Sequence, residues 1–222
     1  MNLETLLSRN LDAFTPLFAP PLTKVNCVSM DLSSSSREFT GLDEAELDHA
    51  ILQKLANADA LAGVGGYLEN RSLYQDTDLF QGDTARCIHI GVDVFMPAGT
   101  VLHAPLDGEI HSFANRQIRG DYGPVIILRH ELDGFEFHTL YGHLAETSLD
   151  DLQAGKPIRS GAAFAQIGPR PVNGNWPPHL HFQLIADMQD NHGDYPGVVR
   201  ADELDYYRRN CPDPTCLLMR RG

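Results

Sequence analysis

Three short segments concentrate the residue types that hold and use a metal ion. In the first, Arg86-Cys87-Ile88-His89-Ile90-Gly91-Val92-Asp93-Val94, an imidazole and a carboxylate stand four positions apart around a glycine. The β-branched residues and Gly91 disfavour a helix, and in a straight strand positions 89 and 93 share a face about 13 Å apart, too far for one ion. A shared site therefore requires a bend at Gly91, where glycine tolerates unusual backbone geometry. The second segment, Pro177-Pro178-His179-Leu180-His181-Phe182-Gln183-Leu184, alternates as a strand that turns both imidazoles to one face, roughly 7 Å apart. One of the pair can ligate a metal while the other reaches a water or a substrate oxygen. In the third, Thr139-Leu140-Tyr141-Gly142-His143-Leu144, Gly142 interrupts a strand and presents His143 at its end.

Each segment alone also fits an ordinary strand histidine; the combination is what is specific. Zinc favours imidazole and carboxylate ligands, and a catalytic site uses three protein ligands with one position open. His89, Asp93 and one of His179 and His181 supply three. The remaining two histidines provide what amide hydrolysis needs besides a metal, a base for water and stabilisation of an oxyanion.

The elements that must position these groups fall into three zones. Residues 1–82 are expected to form an N-terminal extension. It contains the polar run Ser33-Ser34-Ser35-Ser36 as a surface connection, one amphipathic helix over about 42–62 with acids in its first turn, and a possible lid over 63–80. His49 on that helix reads as a surface or boundary residue. Residues 83–195 are expected to be a β domain, with strands at Ile88–Phe95, Thr100–Ala104, Gly108–Phe113, Val125–His130, Phe135–Tyr141 and His179–Ile185, each bounded by Gly, Pro or Asp. Residues 196–222 form a C-terminal tail. Many short strands with turn signals between them indicate a mainly β fold with a folded antiparallel sheet.

Composition narrows the partners. The 222 residues carry 17 Lys+Arg against 30 Asp+Glu, a net charge of −13, and only three lysines, which argues against nucleic acid and against an anionic membrane surface. The first 21 residues lack a basic n-region, no run approaches the roughly 18 apolar residues of a membrane span, and a cytoplasmic location is expected. The four scattered cysteines are expected to be reduced thiols, with Cys211 and Cys216 poor candidates for a metal.

The ordered set His89-x-Gly-x-Asp93, Pro97-x-Gly99-Thr100-x-x-x-Ala104-Pro105-x-Asp107-Gly108, Tyr141-Gly142-His143-Leu144 and Asn173-Gly174-x-x-x-Pro178-His179-Leu180-His181-Phe182 resembles the lysostaphin/LytM-type zinc metallopeptidases. The resemblance covers about residues 86–186. It implies an enzyme cutting peptidoglycan or glycine-rich peptides, an antiparallel β fold of the duplicated hybrid motif type, and one Zn2+ per chain on His89, Asp93 and His181. It further implies His179 and His143 as the catalytic pair, the first on the water and the second on the oxyanion, with the reverse division open. Glu69, Asn70, Arg71 and Asn173 are expected on the substrate or lid side of the groove, since an upstream segment in the family can enter the site. The chain as a whole is also similar to the peptidase-like segment fused to kinase-like and aminotransferase domains, which makes such proteins possible partners. A non-catalytic zinc-bearing module is the competing reading. A lesser one is a phosphocarrier of the glucose-type IIA kind, with His89 carrying the phosphoryl group, on the strength of His89-Ile-Gly-Val-Asp93 and Ala104-Pro105-x-Asp107-Gly108. His103, His111, His130, His138 and His192 are left as structural.

Overall fold

The structure, a computed structural model, describes residues 2–71 and 86–219; the second half of the expected lid lies outside them. Alternating apolar residues build an eight-stranded sheet in the order β1 (Cys27–Met30), β2 (Ala62–Gly65), β5 (Val92–Phe95), β12 (His179–Ile185), β9 (Phe135–Gly142), β8 (Gly123–Leu132), β7 (Gly108–Arg116) and β10 (Pro157–Ile158). Neighbours are antiparallel except β1 and β2, which run parallel. The exception has a topological cause: between them lies α2 (Glu44–Asn57), and parallel neighbours need a crossover of this length. Asp43 and Glu46 close α2's first turn with a reciprocal capping box. The helix ends at Asn57 rather than near 62, because Asp59 adopts a left-handed conformation and the chain enters β2 at Ala62.

Two small sheets complete the frame: β6 (Val101–His103) with β11 (Ala163–Gln166), and β4 (Ile88–His89) between β3 (Glu69–Asn70) and β13 (Val198–Val199). The single strand expected over 88–95 is thus two strands in different sheets, separated at Ile90 and Gly91.

Period-2 alternation gives the central sheet two unlike faces. Val92, Val94, Leu180, Phe182 and Leu184 join Ile126, Leu128, Phe137 and Tyr141 in the main core. That core is covered by α1 (Leu3–Arg9) and the following segment through Leu6, Leu7, Phe14 and Leu17. The intervening residues Asp93, Phe95, His179, His181 and Gln183 must then point to the opposite face. Residues 196–199, α2 and α3 (Leu204–Asn210) border that face, through Leu47 and Ile51 packed with Phe95, and through Val199 and Cys211. No helix of the described residues is long and apolar enough to cross a membrane.

Candidate metal centre and its cleft

Register brings the first two candidate ligands together. In the antiparallel β12–β5 ladder His181 stands directly opposite Asp93, and His179 opposite Phe95. The third candidate arrives from the small sheet after the break at Gly91, which leaves His89 Nε2 at 3.2 Å from Asp93 Oδ1 and 2.8 Å from His181 Nδ1. His181 Nδ1 lies 3.2 Å from the same carboxylate oxygen. The bend expected at Gly91 is present, for a different reason. Its φ is not positive; the site needs the missing side chain, since a Cβ would lie 2.5 Å from His181 Cε1 and 2.9 Å from the Phe182 carbonyl oxygen.

Three ligand atoms within 2.8–3.2 Å of one another, all on residues no more than 3% exposed, suit one small ion. Tetrahedral zinc with bonds of about 2.0–2.1 Å sets its ligands about 3.3 Å apart, so a slight expansion of this triangle would seat it. Protonation states agree. Burial lowers the His89 pKa to about 3, helped by the Arg71 charge, so the imidazole is neutral. Burial works to raise the Asp93 carboxyl but is outweighed by the Arg71 guanidinium beside it, which holds it ionised and well below its usual range. Gln183 donates its amide N–H to the Pro196 carbonyl oxygen at 3.1 Å, which turns Oε1 to accept from His181 Nε2 at 3.0 Å. That bond leaves the lone pair of His181 on Nδ1, facing Asp93. Cys211 sits behind it, buried, its thiol pushed up to about 12 by desolvation and its Sγ 3.4 Å from Gln183 Nε2.

His143 and His179 stand beside the triad with ring centroids 4.2 Å apart. Each donates Nδ1–H to a backbone carbonyl, His143 to Asn173 at 2.9 Å and His179 to Pro177 at 2.7 Å, so each presents Nε2 as an acceptor. Burial pushes both below the usual imidazole range and keeps them neutral. His143 takes a left-handed backbone conformation, fixed by its N–H to the Tyr122 carbonyl at 2.8 Å. Gly142 before it has no room for a side chain against the Tyr122 ring. His179 Nε2 lies 3.8 Å from Asp93 Oδ1, and its ring stacks on Phe95 at 5.0 Å. A cleft of about 340 Å3 opens onto His89, Asp93, His143 and His181, with Tyr122 and Trp176 among its walls and Arg116, Asp121 and Asp194 also lining it.

The residues expected on the lid side divide. Arg71 is 3% exposed and donates Nη1–H to Asp93 Oδ2, and Glu69 receives Arg71 Nε and Nη2 at 3.0 and 2.9 Å. Asn70 is exposed and stands away from the centre, pairing with Ile88. Asn173 is fully buried and works from inside: its side chain spans Gly168 and Trp176 carbonyls, at 3.2 and 2.9 Å, and its own carbonyl orients His143. Sequence assigns no role to Gln183 or Tyr122, and considers Cys211 only as a poor candidate for a metal. Gln183 carried a signal, since it continues the His179, His181 alternation on one strand face; the other two come from distant segments.

A mainly β domain whose central strands carry a buried His-Asp-His triad defines the class. Residues 87–192, just under half of the chain, match the model of peptidase family M23. Over 96 residues the chain is 33% identical to an uncharacterized metalloprotease of Haemophilus influenzae, a match covering 43% of this chain and 18% of that protein, so less than a fifth of the relative is represented. Among solved structures, the catalytic domain of lysostaphin from Staphylococcus simulans is 22% identical, with 60% of this chain and 88% of that one covered and a TM-score of 0.38. The catalytic domain of a prophage-encoded M23 protein, EnpA, from Enterococcus faecalis is 19% identical, with 57% and 86% covered and a TM-score of 0.39.

Proposed function

We propose that this chain is a zinc-dependent metalloendopeptidase that hydrolyses an amide bond in a peptide of peptidoglycan or glycine-rich type. The observation that carries the reading is the mutual approach of His89 Nε2, Asp93 Oδ1 and His181 Nδ1 in a buried site beside an open cleft. The match of residues 87–192 to the model of peptidase family M23 and the relative's description as a metalloprotease support the same class.

A Zn2+ held by these three residues supplies Lewis acidity, lowering the pKa of water and polarising a carbonyl. The protein's own groups do the rest. His179 is the general base: it is neutral, its Nε2 is an acceptor, and it is the nearer of the pair to Asp93. His143 faces the cleft, also with Nε2 free to accept. It becomes a donor to the oxyanion or to the leaving amine only after it has taken a proton, and the tilted His179 ring, 4.2 Å away between centroids, puts it next to the group that removes one. The phosphocarrier reading fits less well, because His89 is 1% exposed and turns Nε2 towards His181 and Asp93.

Purified protein should contain one zinc per chain and cleave members of a panel of glycine-rich, D-alanyl and γ-glutamyl peptides, with loss on chelation. His179→Ala should abolish turnover and keep zinc; His89→Ala should lose zinc. Full activity in His179→Ala would overturn the mechanism, and zinc retention without any turnover on the panel would favour a non-catalytic zinc module.

A further inference from the structure

The two oxygens of Asp93 have different partners. Oδ1 faces His89 and His181, whereas Oδ2 accepts from Arg71 Nη1. A carboxylate turns freely about its last bond, so a ligand oxygen stays aimed only if the other oxygen is held. Arg71 is itself anchored on three sides. Its Nε and Nη2 both donate to Glu69 Oε2, its backbone N–H donates to the Cys87 carbonyl at 2.8 Å, and with Leu32, Leu47, Ile51 and Trp176 it lines a cavity of about 30 Å3 behind His179. Glu69 stands in register with His89 across β3 and β4, so the strand pair that delivers the imidazole also delivers the clamp. The charges suit a cation: Glu69 cancels Arg71, and the net charge of −1 left on Asp93 remains for the ion.

We propose that Arg71, braced by Glu69, is a positioning residue that holds Asp93 with a single oxygen turned to the metal. The role requires a guanidinium. Nη1 serves Asp93 while Nε and Nη2 serve Glu69, a fork that a lysine ammonium cannot reproduce. The α2 segment, through Leu47 and Ile51, keeps this fork out of water and so belongs to the metal centre, although it supplies no ligand.

This inference rests on the metal reading above, and zinc affinity separates the two. Competition of the full chain against a chromophoric chelator should give affinities 10–100-fold weaker for Arg71→Lys, Arg71→Met and Glu69→Gln than for the unaltered chain, as expected when an outer partner of a ligand is lost. Lysine should rescue little. Cobalt substitution should show an altered visible absorption band in the same variants, which a loss confined to substrate binding would not produce. Unchanged or tighter zinc binding in Arg71→Lys and Glu69→Gln overturns the proposal while leaving the metal centre standing. If Arg71→Met fails to fold, Glu69→Gln decides alone. An unaltered chain that binds no zinc overturns the metal reading and this proposal with it.

Discussion

Gln183 illustrates how far the site extends beyond its ligands. Its amide fixes the tautomer of His181, and outer partners of this kind are worth about 10–100-fold in metal affinity. Gln183→Leu should therefore weaken zinc binding by that factor without displacing a ligand, which chelator competition will measure. A second effect at this scale lies away from the centre. His130 is buried, donating Nδ1–H to the Asp107 carbonyl at 3.0 Å and accepting at Nε2 from the Thr139 hydroxyl at 2.8 Å. Burial lowers its pKa to about 4, and that of neighbouring His138 also to about 4. Because both are depressed below the unfolded value of about 6.5, the native state binds fewer protons than the unfolded chain between the two. Their contribution is thus present above pH 6.5 and is lost as pH falls towards 4, by on the order of 1.4 kcal/mol per pH unit per group. Urea unfolding at pH 7 and pH 5 should show this slope, and His130→Gln should remove one group's share. Sequence marked His130 as structural, but only the packing reveals that it must stay neutral.

At the scale of elements, the break between β4 and β5 is the decisive feature. Residue spacing demanded a bend at Gly91; that the bend separates two sheets depends on β3 and β13 capturing β4, and neither two-residue strand has an internal pattern to announce it. Gly91→Ala places a methyl group against His181 and the Phe182 carbonyl, so zinc affinity should drop more than tenfold, read by the same competition assay. The α2 helix was legible from its spacing and acidic first turn. Its role as the crossover of a parallel pair was not, because β1 and β2 are four residues each and become strands only by pairing. Asp43→Ala removes the capping box and should cost about 1 kcal/mol. For a chain of this size that is roughly 2–4 °C in Tm, measurable by thermal unfolding.

Across the whole molecule, the candidate ligands come from two sheets, β5 and β12 of the large one and β4 of the small one, so a bound ion should add a link between them. A ligand held only by the native state stabilises by about 4 kcal/mol when present at a thousand times its Kd. Removing zinc with a chelator should then lower Tm by roughly 10 °C, reversibly on re-addition; an unchanged Tm would mean that the ion does not join the sheets. By itself the sequence determined the candidate ligand types, the two faces of β12 and the place where the chain must bend, since these follow from residue chemistry and the two-residue period of a strand. Only the tertiary structure decided which oxygen of Asp93 turns to the imidazoles, that Arg71 and Glu69 hold the other one, and that an N-terminal helix shelters them. Those outcomes depend on contacts between segments distant along the chain, and no local spacing encodes them.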